Sequence, residues 1–269
     1  MVGALSDRIG IVGAGRMGGP IGRHLLAAGR RLSVFDPNDE ARRALVDAGA
    51  TECANAAEVA SRSDVVLVAV VDDEQVRNAV QACLEGAAAG TIVAICASIR
   101  PDTCRELADA GRARDVAVID AALVRGERGA EEGQLVFYCG GDEQTVSRFR
   151  DAVTPVAEAV VHVGGVGAGQ VAKTANNVLL WACIRADVEA LRLGRALGVD
   201  LAKLREALAI GSGANRPLAE WGKHRLRWPH KDLEVALGVA REAGVELKLV
   251  EQLPALMAEL TVDDLHELL

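Results

Sequence analysis

Aromatic side chains are nearly missing: Phe, Trp and Tyr together make up 3% of the 269 residues. Recognition of single-stranded nucleic acid by stacking bases on rings needs more of them. The formal charge of -8 also denies the basic face that a phosphate backbone would require. Nucleic acid is therefore excluded as a partner, and small-molecule chemistry is favoured. Long apolar runs are lacking too. The longest, Val65 to Val71, falls far short of the roughly 20 residues that span a bilayer. The N-terminus shows no basic segment followed by an apolar stretch. A cytoplasmic protein with no membrane partner is expected. The six cysteines, Cys53, Cys83, Cys96, Cys104, Cys139 and Cys183, form no CxxC pair and have no histidine at ligand spacing. This excludes a disulfide framework and a metal site, and leaves small buried apolar residues in a reducing compartment.

What the chain has in quantity is glycine, 28 residues, together with an apolar half that is ample for packed cores. Up to about residue 163, short apolar runs alternate with amphipathic stretches. RIGIVG (8 to 13), LSVFD (32 to 36), DVVLVAVV (64 to 71), TIVAIC (91 to 96), VAVIDA (116 to 121), LVFYCG (135 to 140) and AVVHVG (159 to 164) are β-branched and mostly continuous. Strands buried on both faces of a parallel sheet have this character. After residue 167 the strand signal stops. Leu179, Ala182, Ala186, Ala190 and Leu193 recur at helical spacing until Gly198, and further helices are expected over 201–210, 215–226, 232–243 and 246–259. The fold class that follows is α/β, a doubly wound parallel sheet in residues 1–165, then a long connecting helix and a small all-helical domain in residues 166–269.

Two stretches carry chemistry. The first apolar run leads directly into Gly13-Ala14-Gly15-Arg16-Met17-Gly18, and a helical pattern begins at once. Strand, glycines and helix in this order let a pyrophosphate meet backbone N–H groups at a helix N-terminus. About 20 residues on, as the same fingerprint expects, the second run ends in Asp36, whose carboxylate can accept from ribose hydroxyls and would repel a 2′-phosphate. NAD is therefore expected ahead of NADP, although Arg42 and Arg43 on the next helix could meet a phosphate. The second stretch, GGVGAGQVAKTANN over residues 164–177, opens the long helix. Lys173 and Asn177 stand four residues apart there, so a cation and an amide share one helix face. His162, alone in an apolar run, is read as a packing residue.

These motifs resemble the β-hydroxyacid dehydrogenase family, which includes 3-hydroxyisobutyrate dehydrogenase, tartronate semialdehyde reductase and, more distantly, 6-phosphogluconate dehydrogenase. The resemblance covers nearly the whole chain. It rests on GIVGAGRMGGPIGRHLLAAG (10 to 29), DAALVRGERGAEEGQL (120 to 135), the GxGxxxKxxxN pattern (167 to 177) and Lys231-Asp232-Leu233. It implies an N-terminal Rossmann domain, an interdomain helix and a helical C-terminal domain that helps form a homodimer or a dimer of dimers. It makes Lys173 the general acid and base, with Asn177 holding a small anionic substrate beside it. Gly13, Gly15, Arg16, Met17, Gly18, Asp36, Val71, Ser98 and Lys231 become the cofactor-binding residues, with Ser98 beside the nicotinamide ribose. A lysine normally near ~10.4 suits proton transfer when desolvation, a helix N-terminus and a nearby cation such as Lys231 lower its pKa. Lys231-Asp232 can also be read as a plain helix start, with Asp232 as its cap.

Departures from the family bear on the substrate. Val124-Arg125-Gly126 stands where the family carries Ser-Gly-Gly, the loop that receives the substrate's acid group. An arginine there can grip a carboxylate through two parallel hydrogen bonds, or it can point to solvent. The stretch between Gly213 and Lys231 is short, and TVDDLHELL forms an acidic tail. The expected function is an NAD(P)-dependent, preferably NAD-dependent, dehydrogenase of a small 3-hydroxy acid or its semialdehyde. An imine reductase-like enzyme and a non-catalytic dinucleotide-binding protein are the alternatives, and Lys173 with Asn177 weighs against both.

Overall fold

The structure, a computed structural model, describes residues 8–269. The first seven residues, on which the reading of the N-terminus partly rests, lie outside the described residues. The strands are β1 (Arg8–Val12), β2 (Arg31–Phe35), β3 (Thr51–Glu52), β4 (Val65–Val68), β5 (Ile92–Ile95), β6 (Ala117–Val124), β7 (Leu135–Gly140) and β8 (Ala157–Gly164). Between them run α1 (Gly18–Ala27), α2 (Asp39–Val46), α3 (Ala56–Ser61), α4 (Asp73–Gly86), α5 (Pro101–Arg112), α6 (Gly126–Glu131) and α7 (Glu143–Val153). Then follow α8 (Ala168–Ala196), α9 (Leu201–Leu208), α10 (Arg216–Ala219), α11 (Pro229–Glu242), α12 (Leu253–Ala258) and α13 (Val262–His266).

The sheet order is β3-β2-β1-β4-β5-β6-β7-β8, parallel except for the antiparallel pair β6/β7. The central strands are apolar at successive positions because each face has its own cover. Ile9, Ile11, Val65, Leu67, Ile92 and Ala94 face Ile21 and Leu25 of α1, Leu45 of α2 and Phe149 of α7. Val66, Val68, Val93 and Ile95 face Val59 of α3, Val80 of α4 and Leu107 of α5. The doubly wound expectation therefore holds, with three differences in detail. β3 is a two-residue, exposed strand with no periodicity to reveal it. β6 runs on to Val124 because β7 pairs along it from Asp120↔Gly140 to Val124↔Val136. β4 ends at Val68, so Val71 lies in the loop beyond it, exposed.

The chain divides into two compact units, one ending at Lys173 and the other Thr174–Leu269, so the division falls within α8. The second unit has its own core, in which Trp181, Ile184, Val188 and Leu191 of α8 pack with Leu233, Leu253, Met257, Leu265 and Leu268. The acidic tail is helical. Thr261 and Asp264 form a capping box at the start of α13, and Leu265 and Leu268 are buried. The helix expected over 215–226 shrinks to α10, which is followed by Gly222 and Leu226, both at positive φ. Among the described residues, no helix is long and apolar enough to cross a membrane.

Candidate active site

The register lines up one edge of the first unit. Phe35, Val12, Val68, Ile95 and Asp120 are consecutive partners across β2, β1, β4, β5 and β6. The residues that follow each strand therefore emerge together: Asp36 after β2, the glycine loop after β1, Val71 after β4 and Ser98, half-buried, after β5. Crossovers leave β1 towards β2 on one side and from β4 towards β5 on the other. The β1/β4 seam is thus the point where strand order reverses, and ligands of open α/β sheets bind there.

The glycines have separable reasons. Gly13 has φ +97, and a Cβ on it would sit 2.5 Å from the Ala69 carbonyl oxygen. A Cβ on Gly18 would lie 1.8 Å from the Gly13 carbonyl oxygen, so α1 passes too close to the loop for any side chain. A Cβ on Gly15 would meet nothing within 4 Å. Sterics within the fold do not demand a glycine at that position, whereas close approach of another molecule to its backbone does. Helix α1 starts after Met17 with no side-chain cap and no acidic residue in its first turn, whereas α2, α3, α4 and α7 are capped by Asn38, Asn55, Asp72 and Asp142. The residues present fit a dinucleotide pyrophosphate.

Asp36 does more than the fingerprint requires. Its two carboxylate oxygens accept from the N–H of Ala14 at 2.6 Å and of Asn38 at 2.7 Å, which ties the glycine loop to the end of β2. Each oxygen keeps a lone pair for a ribose hydroxyl. Arg42 is already engaged: it donates to Glu52 at 2.7 Å, to Asp39 at 2.6 Å and to the Asp36 carbonyl at 2.6 Å. Arg43 is largely exposed beside Asp39.

Sequence reasoning missed the two residues that place Lys173. Asp120 is 0% exposed, and its oxygens accept from the N–H groups of Gly167 at 2.6 Å and Gln170 at 2.9 Å, at the start of α8. Burial pushes its carboxyl above the usual carboxylate range, against the pull of those amides. Gln170 reaches from α8 to the Ser98 loop, donating to the Ala97 carbonyl at 2.7 Å and accepting from the Ile99 N–H at 3.2 Å. The first turn of α8 is thereby fixed to the strand-end edge, and Lys173, half-buried, stands one turn further on. A Gln three residues ahead of the lysine, in the apolar stretch GxGQVAK, was the available signal.

In the second unit Asn177 is buried, four residues after Lys173, and Trp181 follows at the same spacing. The Trp181 indole donates to Asp232 at 3.1 Å. Asp232 therefore binds α11 to α8, and the alternative reading of it as a cap fails, since α11 starts after Trp228 with Pro229 in its first turn. Lys231, next to it in that first turn, is exposed. His162 is exposed rather than packed, and its Nε2 lies 2.9 Å and 3.0 Å from the carbonyls of Gly141 and Gly164. The cysteines are free and buried, apart from half-buried Cys183, and burial pushes the Cys83 thiol up to about 12.

The substrate segment departs from both expectations for Arg125. Its guanidinium neither points to solvent nor offers a free fork, because both terminal nitrogens bind the Glu158 carboxylate of β8 and the side chain is 19% exposed. The backbone at Arg125 has φ +78, a conformation that suits the glycine of the family pattern. The loop does reach the cofactor side of the sheet: Glu127, next to Gly126, accepts from Arg16 at 3.2 Å. Arg125→Ala should therefore lower stability by about 0.5–1 kcal/mol, the scale of a partly screened ion pair. Differential scanning fluorimetry should show a drop of a few degrees, with kcat/KM within about threefold of wild type. A tenfold or larger kinetic loss would restore the clamp.

Residues 8–164 match the family model of the NAD-binding domain of 6-phosphogluconate dehydrogenase. Residues 167–267 match that of the NAD-binding region of NADP-dependent 3-hydroxyisobutyrate dehydrogenase. The chain belongs to the β-hydroxyacid dehydrogenase family. As a member it is an NAD(P)-dependent oxidoreductase. It is 34% identical over 225 residues to the NAD-dependent L-serine dehydrogenase of Pseudomonas aeruginosa, an alignment that covers 82% of this chain and 74% of that one. The solved Mycobacterium tuberculosis 3-hydroxyisobutyrate dehydrogenase with L-serine superposes with a TM-score of 0.88 at 26% identity, covering 97% of this chain and 98% of that one. An imine reductase from Myxococcus stipitatus with NAD+ shares the fold alone, at 17% identity and a TM-score of 0.68 over 94% of this chain and 93% of that one.

Proposed function

We propose that this protein interconverts a small hydroxy acid and its carbonyl form, using NAD(H) in preference to NADP(H), with Lys173 moving the hydroxyl proton. The observation that carries the reading is the tether of the Lys173 helix, through Asp120 and Gln170, to the strand ends that bear the glycine loop. The nicotinamide, when bound, accepts or supplies the hydride. The Lys173 ammonium gives a proton to the carbonyl oxygen during reduction, and the neutral Lys173 amine takes the hydroxyl proton during oxidation. Asn177, on the same helix face, donates to the substrate beside it. The backbone of the Gly13–Gly18 loop, with Arg16 and Met17, holds the pyrophosphate. Asp36 holds the adenosine ribose, Val71 offers an apolar surface and Ser98 binds towards the nicotinamide half, while the cofactor role of Lys231 rests on the family resemblance alone. The relatives act on serine and 3-hydroxyisobutyrate by name, which makes short 3-hydroxy acids the substrate class to screen for NAD(H)-linked absorbance change. The screen supports the reading if one acid is turned over by wild type and not by Lys173→Ala.

Cofactor preference follows from charge. The Asp36 carboxylate faces the place of a 2′-phosphate, and the arginine that could offset it, Arg42, is engaged by Glu52 and Asp39. NADPH should bind about 5- to 150-fold more weakly than NADH, equivalent to ~1–3 kcal/mol. Fluorescence titration giving a tighter NADPH constant would reverse the assignment of Asp36.

Assembly follows from α8. Leu179, Leu193 and Leu197, at 65%, 62% and 73% exposure, share one helix face with exposed Ala186 and Ala190. Leu179, Ala186, Ala190 and Leu193 belong to the apolar repeat read along this helix, and a second copy of the chain is the cover proposed for them in a cytoplasmic homodimer or dimer of dimers. Light scattering should give at least twice 28.2 kDa. A 28.2 kDa particle would refute the proposal.

A further inference from the structure

The Gln170 side chain is 1% exposed, and both of its amide bonds go to one short stretch of backbone. It donates to the carbonyl of Ala97 and accepts from the N–H of Ile99. A residue on a parallel strand grips its partner by the same pattern, through the carbonyl before it and the N–H after it. The amide thus acts as one added strand residue beyond Ile95, where β5 has ended, and the residue it grips is Ser98. We propose that Gln170 is a positioning residue that holds Ser98 in register with the turn of α8 carrying Lys173, so that one helix sets both the nicotinamide half of the dinucleotide and the proton-transferring lysine.

Three features make this placement rigid. The backbone N–H of Gln170 is taken by Asp120, so a single residue joins β6, the loop after β5 and α8. A Cβ on the preceding Gly169 would lie 2.3 Å from the Tyr138 carbonyl oxygen, so the helix is pressed onto the sheet at this turn. Ala97 and Ile99 are themselves buried, so water does not replace the amide. Gln170 and Lys173 are three residues apart, neighbours on the helix surface. A shift at the first is therefore felt at the second.

The inference rests on the reading that Ser98 meets the nicotinamide half, and the test separates the two. ADP, which lacks the nicotinamide ribose, leans on the glycine loop and Asp36 alone, whereas NADH also uses the Ser98 loop. Gln170→Leu should weaken NADH about tenfold in fluorescence titration, leave ADP within about twofold in competition, and lower kcat at least as much. Gln170→Glu supplies the missing donor only when its carboxyl is protonated, and burial beside the Ala97 carbonyl favours that form. Its kcat relative to wild type should therefore rise as pH falls from 8.5 to about 6. Equal weakening of NADH and ADP by Gln170→Leu, or no weakening of either, would overturn the proposal. If the leucine variant does not fold, a flat pH ratio for Gln170→Glu overturns it instead. Ser98→Ala with undiminished NADH affinity would count against the underlying reading of Ser98, and full turnover by Lys173→Ala against that of the lysine.

Discussion

Replacing Lys173 by alanine is expected to cut turnover by about 10²- to 10⁴-fold, the usual contribution of a positioned acid–base group, while NADH affinity stays within about twofold. The separation has a structural cause. The first turn of α8 is tied down by backbone N–H groups on Asp120 and by the Gln170 amide. The dinucleotide's glycine loop is tied by Asp36. None of these bonds uses the lysine side chain, so truncation should leave the cofactor's seat intact and remove only the proton carrier. Steady-state kinetics with the best hydroxy acid, alongside NADH fluorescence titration, checks both halves. Loss of cofactor binding would make Lys173 structural, and unchanged turnover would remove it from the mechanism.

The second large effect belongs to the glycine loop, where two alanine substitutions should fail in different ways. At Gly18 the new methyl would lie 1.8 Å from the Gly13 carbonyl oxygen, which is backbone and has nowhere to go. Helix α1 must shift, at a cost of about 1–3 kcal/mol or more, and NADH affinity should fall at least 100-fold, equivalent to about 2.7 kcal/mol. At Gly15 the same methyl meets nothing within 4 Å. Gly15→Ala should therefore keep the wild-type thermal midpoint and still lose NADH affinity, because the methyl occupies space reserved for the pyrophosphate. A Gly15→Ala variant that binds NADH normally would show that no ligand approaches that backbone.

What could be read in advance follows from whether a residue's partner is near it in sequence. The strands of the sheet announced themselves because burial on both faces makes them continuously apolar. The glycine fingerprint and the Lys173–Asn177 pair were legible because strand-turn-helix order and four-residue spacing are local properties. Asp36 was placed correctly at the end of β2, yet its bond to the Ala14 N–H was not visible, since that requires β1 and β2 to be neighbours in register. Arg125 was offered to a carboxylate or to solvent, and it found Glu158 instead, 33 residues away on β8. No pattern within the loop could supply that partner. The roles of Gln170 and Asp120 are hidden for the same reason, because their bonds join three separate segments. The tail differs, because Thr261 and Asp264 form a capping box whose three-residue spacing is local and therefore visible in the sequence.

The central claim is that this chain moves a hydride between NAD(H) and the carbinol carbon of a small hydroxy acid. Transfer of isotope tests it most directly. The protein is incubated with NADH deuterated on the nicotinamide and a panel of short carbonyl acids, and the products are read by mass spectrometry. One acid of the panel should be returned as its hydroxy form carrying a single deuterium on the carbinol carbon, and Lys173→Ala should return almost none. If NADH is bound and no member of the panel acquires deuterium, the site holds a dinucleotide without the proposed reaction.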